Sequence, residues 1–286
     1  MASKPQTGIQ SVEVGFALLD ALAHARAPMM LRDLALAASM SAAKAHRYLV
    51  SFQRLGLVVQ DAYNTRYDLG PTALKLGLAS LERLDAVQLA RARLEALMLQ
   101  VGHTLALAVW GNHGPTIVHW QESPQAVTVN LRLGDVMPLL TSATGRCFAA
   151  YAPPQAVRTS IVAELAVLAK LDKLAVPGAG AYVRTDAPTT MAAAQALLKE
   201  VRQRGLARVC NTLLPGIAGF CAPVFDASGH MVLGLVSLGS VASFDTAWDG
   251  DIAHALLQCA QQLSSDLGAP PDLGHAQLVG GRKLQA

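Results

Sequence analysis

Residues 41–54 read Ser-Ala-Ala-Lys-Ala-His-Arg-Tyr-Leu-Val-Ser-Phe-Gln-Arg. Wound as a helix, this segment has two faces. Ala45, Leu49 and Phe52 recur at i, i+4 and i+7 and form a stripe to bury. Lys44, Arg47, Ser51 and Arg54 fall on the opposite side, and Ala43 is small enough to allow close approach. Cations and hydroxyls at that spacing donate hydrogen bonds to phosphate oxygens and to base edges. Arg66 stands beside the polar turn Asp61-Ala62-Tyr63-Asn64, where a cation would touch phosphate. With Ser41 and His46, the candidate DNA-contacting set is Ser41, Ala43, Lys44, His46, Arg47, Ser51, Arg54 and Arg66. A merely solvated helix face has the same composition, so the neighbouring elements must decide.

Those elements can be read from the periodicity. Val12, Phe16, Leu19 and Ala23 mark the inner face of a helix over about Gln10–His24, which Pro28 ends. A short helix over Leu31–Ala38 follows, then the tight connection Ser39-Met40-Ser41, in which either serine can cap the next helix. That third helix, Ser41–Leu55, stops at Gly56, a residue suited to a left-handed terminator. Leu57–Gln60 and Thr65–Leu69 flank the polar turn as a hairpin. Helix, short helix, tight turn, helix, hairpin is the order of a winged helix-turn-helix, whose third helix enters the major groove. Charge agrees with this reading. Residues 1–80 hold eight Lys/Arg against five Asp/Glu and residues 81–286 hold fifteen of each, so the net +3 comes from the first 80.

The remainder follows another plan. Residues 72–101 read as a connecting helix, bent near Leu84-Asp85, whose apolar stripe a second copy can bury. Strands are predicted over Thr104–Trp110, Thr116–Gln121 and Ala126–Leu133, and helices over 143–152, 154–172 and 190–205, with a Gly/Pro-rich loop at 176–189. A hairpin, Gly219–Phe225 and Val232–Leu238 about Asp226-Ala227-Ser228-Gly229, precedes a last helix, Ile252–Leu267. Strands, helices, strands and helix suggest an α+β sensor domain. The expected divisions are a DNA-binding domain at 9–71, a linker and dimerisation helix at 72–101, an effector-binding domain at 102–268 and an unstructured tail at 269–286. A chain of 286 residues, 52% apolar and 15% charged, can bury two such cores.

At this point the chain resembles the IclR family of bacterial transcription regulators. The resemblance is carried by Gln10-Ser11-Val12-Glu13, His46-Arg47-Tyr48-Leu49, Arg66-Tyr67-Asp68-Leu69-Gly70, Ala143-Thr144-Gly145-Arg146, Leu214-Pro215-Gly216-Ile217 and Ala222-Pro223-Val224-Phe225-Asp226, in one unbroken order over roughly residues 9–268. It implies an N-terminal winged helix-turn-helix, a linker helix used in dimerisation, and a C-terminal GAF-like α/β effector-binding domain. It also implies a homodimer or homotetramer on double-stranded operator DNA of inverted-repeat form. The chain departs from the family's pattern in two places. Met30 stands where a hydroxyl residue often caps the second helix, and Ala42-Ala43-Lys44 replaces a common Lys-Ser-Thr. The second departure bears on the operator sequence more than on the mode of binding.

The resemblance also places a ligand pocket between the sheet and the segment after its third strand. The residues add a reason: Thr141-Ser142-Ala143-Thr144-Gly145 precedes an apolar helical run, and free backbone N–H groups at a helix N-terminus favour carboxylates. Trp120, Val129, Leu131, Leu133, Phe220 and Cys221 are the candidate apolar walls. Arg146 either pairs with a ligand carboxylate or sits on the surface bonded to a neighbouring acid, the second being commoner for arginine. The candidate effector-binding set is Trp120, Val129, Leu131, Thr141, Thr144, Gly145, Arg146, Phe220 and Cys221. The expected effector is a small organic acid, an aromatic or hydroxy-aromatic one being favoured by the apolar surroundings. Leu206–Asn211 offers Arg208 and Asn211 but no carboxylate, which argues for a less polar ligand than an oxo-acid. The competing reading is that the small residues only cap a helix and the walls are solid core.

Other chemistries are weaker. Cys147 beside a helix N-terminus, with His119 as base, is the one hydrolase arrangement to weigh, and no flanking signature supports it. A DNA binder without an effector is the other alternative. The four cysteines have no zinc-knuckle or CxxC spacing, and His103, His113 and His119 have no carboxylate at matching distance, so neither metal nor cofactor is expected. The opening residues lack the apolar stretch of a secretory signal and no uncharged apolar run reaches ~18–20 residues, so a cytoplasmic protein without membrane contact is expected. RNA polymerase is a further expected partner of such a regulator.

Overall fold

The structure, a computed structural model, describes residues 8–25, 27–81, 85–124, 131–174 and 186–271. It divides into two compact units, Met1–Leu84 and Asp85–Ala286.

In the first unit, helices α1 (Gln10–His24), α2 (Leu31–Ala37) and α3 (Ala42–Arg54) are followed by strands β1 (Val58–Gln60) and β2 (Tyr67–Leu69) and helix α4 (Pro71–Leu81). Leu18, Leu22, Leu34, Ala35, Ala45, Leu49, Val58 and Tyr67 form its core. The inner face of α1 is not the one that periodicity suggested. Gly15, Leu18 and Leu22 are buried, whereas Val12 and Phe16 are 66% and 61% exposed. The helix carries two apolar stripes, and the missing side chain of Gly15 decides between them. A Cβ there would lie 3.0 Å from Tyr48 and 3.1 Å from Phe52, so α3 closes on that stripe and leaves the other outside. Ser41 caps α3 by accepting from the Lys44 N–H, while Met30, which precedes α2, makes no side-chain cap. Gly56 ends the turn after α3 at φ +69°, with its N–H on the Gln53 carbonyl. Strands β1 and β2 pair antiparallel, Val58 opposite Leu69, and Met29 adds a bridge to Tyr67.

The second unit contains helix α5 (Ala86–Val101), strands β3 (Thr104–Gly111) and β4 (Gly114–Gln121), and helices α6 (Ala143–Tyr151), α7 (Pro154–Leu174) and α8 (Met191–Arg204). Strands β5 (Ala207–Cys210), β6 (Ile217–Phe225) and β7 (Met231–Ser240) and helix α9 (Asp251–Asp266) complete it. One antiparallel sheet runs β4-β3-β7-β6-β5. Helices α5 and α9 cover one face and α6, α7 and α8 the other, so the strands are apolar on both sides. Alternation assigns the faces: Leu105, Leu107, Phe220, Leu233 and Leu235 meet α5 and α9, while Ala106, Ala108, Cys221, Val236 and Leu238 meet the α6 side.

The connecting segment expected at 72–101, with its bend near Leu84-Asp85, contains α4 and α5, and α5 begins at its cap Asp85, whose carboxylate accepts from the Val87 and Gln88 N–H groups at 2.9 and 3.1 Å. Of the strand expected at 126–133, residues 131–133 are not strand, and 126–130 lie outside the described residues. Strand β5 was not anticipated. Most of the Gly/Pro-rich loop, to residue 185, and the tail from 272 also lie outside the described residues.

Candidate nucleic-acid interface and effector cavity

The Ser41 cap fixes where α3 begins and hence which side chains turn outward. Ala45 and Leu49 are fully buried, while Ala43, Lys44, His46, Arg47, Ser51 and Arg54 are exposed. Lys44, Arg47 and Ser51 line a concavity of about 670 Å³ together with Ala43, Tyr48 and Ser11 of α1. Among the described residues neither Lys44, Arg47 nor Arg54 enters an ion pair. A row of hydrated, unneutralised cations beside a concave surface is what a polyanion with its own counterions displaces. Tyr48 and Ser11 were not singled out from sequence. Tyr48 lies between the buried stripe and the cationic face, and Ser11 joins the lining where α1 packs on α3 at Gly15.

Arg66 stands beside the turn and is exposed, with one bond back to the chain before α2. Its Nη1 donates to the Pro28 carbonyl at 3.0 Å and braces the hairpin against the loop before α2. The tip is Tyr63, fully exposed. Asp61 holds the turn: its carboxylate accepts from the Tyr63 and Asn64 N–H groups at 2.7 and 3.1 Å. These bonds, that from Asn64 foremost, hold the Asp61 carboxyl below the ordinary value of 3.8. A depressed folded-state pKa means that the bonds stabilise the turn above the carboxylate range, and that this is lost as pH falls through the folded value. Asp61 is expected to titrate below 3.8 by NMR, with the Tyr63 and Asn64 amide shifts following the same midpoint. Amide shifts that do not move with it would remove Asp61 from the turn.

In the second unit, the first turn of α6 opens on a narrow apolar cavity of about 50 Å³ against the sheet. Trp120, Leu131 and Thr144 line it, with Ile117, Met137, Val209, Ile217, Val236 and Leu238, none of which was named from sequence. The period of two along β7 would have supplied Val236 and Leu238 once the α6 face was known. Ser142, Ala143 and Thr144, the cap and first residues of α6, belong to this lining, and their backbone N–H groups have no acceptor among the described residues. The donors ahead of them are taken. Glu164 of α7 accepts from the Leu139, Leu140 and Thr141 N–H groups at 2.7, 3.0 and 3.2 Å and from the Thr141 hydroxyl at 3.1 Å. Ser142 Oγ accepts from the Gly145 N–H at 2.8 Å. Of the five N–H groups in the stretch 141–145, those of Thr141 and Gly145 are thus taken, while those of Ser142, Ala143 and Thr144 have no acceptor among the described residues.

The other candidates shape the cavity or lie away from it. Gly145 is glycine for packing, since a Cβ would sit 1.8 Å from the Pro138 carbonyl oxygen. Arg146 is not on the surface but 3% exposed. Its Nε donates to the Leu140 carbonyl, Nη1 to Asp186 Oδ2 and the Arg208 carbonyl, and Nη2 to Asp186 Oδ1 and the Asp186 carbonyl, all at 2.7–3.2 Å. It has no donor left for a ligand. Phe220 points to the opposite face of the sheet, 5.5 Å from Phe244 between ring centroids, and Cys221 packs beside Cys147 behind the cavity. Leu133 is 63% exposed, and Val129 lies outside the described residues. Arg208 stacks on Trp248 at 4.1 Å, and Asn211 accepts from the Gly216 N–H, so neither reaches the lining.

The hydrolase arrangement fails on chemistry. Cys147 is wholly buried, and burial, reinforced by its hydrogen bond with Cys221, pushes its thiol well above the usual range, where no thiolate forms at neutral pH. Desolvation lowers the pKa of His119 and of His103, the latter packed 4.9 Å from Phe244. No described helix is long and apolar enough to cross a membrane.

Comparison with known proteins identifies the family of both units. Residues 11–62 match the IclR helix-turn-helix domain, and residues 78–265 match the bacterial transcriptional regulator IclR C-terminal family. The glycerol operon regulatory protein of Streptomyces griseus is 30% identical over 264 residues, covering 91% of this chain and 97% of that protein. The crystal structure of Pseudomonas aeruginosa HmgR superposes with a TM-score of 0.78 at 37% identity, covering 91% of this chain and 99% of that one. An IclR homologue from Microbacterium hydrocarbonoxydans, complexed with 4-hydroxybenzoate, superposes with a TM-score of 0.51 at 17% identity over 90% of this chain and 98% of that one. The curated relatives are regulators of transcription, not enzymes.

Proposed function

The chain belongs to the IclR family of bacterial transcriptional regulators, and on that premise we propose that it binds an inverted-repeat operator as a dimer or a dimer of dimers and releases or reshapes it on taking up a small aromatic carboxylic acid. The observation that carries the effector reading is the apolar cavity at the first turn of α6, whose lining residues Ser142, Ala143 and Thr144 keep their N–H groups unpaired among the described residues. The apolar character of the lining suits an aromatic ring, and the unpaired N–H groups and positive end of the helix suit its carboxylate. The same fold holds 4-hydroxybenzoate in the Microbacterium homologue.

The cavity, at about 50 Å³, is smaller than the ~150 Å³ that accommodates benzene in an engineered protein core. A ring must therefore displace part of its lining, and Leu131 and Met137 belong to the loop that Glu164 ties to α7. Uptake of a ligand and a shift of α7 are one event. Such coupling changes operator affinity only as far as the ligand prefers one arrangement over the other. Dimerisation covers the apolar stripes left outside on α1 (Ile9, Val12, Phe16) and on α4 (Leu74, Leu78), and sets two α3 helices about one turn of DNA apart, roughly 34 Å. The altered arrangement acts through operator affinity or through contact with RNA polymerase.

A thermal-shift series on the full chain, 4-hydroxybenzoate and benzoate against aliphatic acids of equal size, tests the ligand class. Selective binding to the folded state at about 100 times Kd raises stability by about 2.7 kcal/mol. Thr144→Tyr is expected to abolish the aromatic-acid shift and leave operator binding in gel-shift assays unchanged. A normal dose-response in that variant would remove the cavity from the effector site.

A further inference from the structure

We propose that a cleft between the C-terminal end of α6, the first turns of α7 and the outer face of α8 is a second ligand site, which takes a small amphipathic anion with an apolar body and a carboxylate head. The cleft has a volume of about 440 Å³, within the ~300–1,000 Å³ of typical small-molecule sites. Its floor is apolar and buried, formed by Val157 and Ile161 of α7 and Leu198 of α8. Its rim is cationic: Arg158, Lys199 and Arg202 all border it, and no carboxylate does.

Two observations separate this rim from an ordinary solvated surface. Among the described residues none of the three cations is in an ion pair. The carboxylates nearest in sequence are committed elsewhere, Glu164 to the loop before α6 and Glu200 to Arg204 at 2.8 Å. Three like charges gathered on one cleft repel one another, and a single anion between them removes that repulsion. The rim is also partly fixed, because Arg202 Nη1 donates to the Ala150 carbonyl at 2.7 Å, which holds its guanidinium at the cleft edge. An arginine so held presents a fork matched to a carboxylate. The site lies at the opposite end of α6 from the effector cavity and shares no lining residue with it.

The test uses the full-length protein carrying Thr144→Tyr, which closes the effector cavity, titrated calorimetrically with 2-naphthoate, the neutral 2-naphthalenemethanol and the cationic 2-naphthylmethylamine. The expected result is one 2-naphthoate per chain, with the alcohol at least tenfold weaker, no binding of the amine, and loss of affinity at about 0.5 M salt. Adding Arg158→Glu and Lys199→Glu is expected to weaken 2-naphthoate at least tenfold while circular dichroism stays unchanged. Arg202 is left in place because it supports α6. Equal binding of acid and alcohol, no binding of 2-naphthoate, or an affinity unmoved by the two charge reversals would each overturn the proposal. So would a change of oligomeric state in the ligand-free charge-reversed protein, which would assign the cleft to a contact between copies.

Discussion

Arg47→Ala is expected to weaken specific operator binding by at least roughly 30-fold, with the circular dichroism spectrum and melting temperature unchanged. The estimate follows from position. Arg47 is exposed near the middle of α3, flanked one turn away by Lys44 and Ser51, and no carboxylate within the described residues neutralises it. A guanidinium reading a base edge is worth about 1–3 kcal/mol of discrimination, and a dimer loses it at both half-sites, about 2–6 kcal/mol in all. Lys44→Ala serves as the contrast. If Lys44 only meets phosphate, its loss lowers affinity evenly across sequences and reduces the salt dependence by about one counterion per half-site. Gel shifts at two salt concentrations separate the two residues. Affinity of Arg47→Ala within twofold of the parent would place sequence reading elsewhere.

The second large effect is on stability. Arg146→Ala is expected to cost the effector domain about 3 kcal/mol, or roughly 6–12 °C of melting temperature for a domain of this size. Three segments converge on this guanidinium: the loop before α6 through the Leu140 carbonyl, the residue Asp186 ahead of α8, and β5 through the Arg208 carbonyl. Removal of a buried charge from such a network strands its acceptors. The lower end of the range for a broken buried pair is taken because the Asp186 side chain is 38% exposed and can rehydrate. Asp186→Asn keeps one side-chain oxygen and the main-chain carbonyl as acceptors, loses the other side-chain acceptor, and should cost less than removing the guanidinium. A melting temperature within about 2 °C of the parent for Arg146→Ala would show that the network is dispensable.

Helix α3, with its exposed cationic face, was legible because it follows a local pattern. Its stripe, its cap at Ser41 and its terminator at Gly56 lie within 16 residues and obey one period. The helices flanking the sheet were legible for the same reason. What failed was non-local. The inner face of α1 depends on Tyr48 and Phe52, more than 30 residues on, settling over Gly15, and both stripes of α1 are apolar enough to have served. Strand β5 has four residues with Arg208 among them, and a charge in so short an edge strand hides the pattern. Its aliphatic stem is accommodated because the guanidinium stacks on Trp248, 40 residues away. Arg146 was read as a surface residue on composition grounds, and its partner Asp186 cannot be guessed at a separation of 40 residues. Phe220 was assigned to the wrong side by one step of strand parity, the smallest error that reverses a side chain completely.

The Glu164 tether also bears on selectivity. Leu139, Leu140 and Thr141, just ahead of the cavity-lining residues, give their N–H groups to a carboxylate that belongs to the protein itself. On the proposed effector reading a monoacid uses the N–H groups of Ser142, Ala143 and Thr144, and the second carboxylate of a diacid finds the three amides ahead of them already taken by a fixed negative charge. The proposed site thus carries a preference in valence, for singly charged acids over doubly charged ones of similar shape.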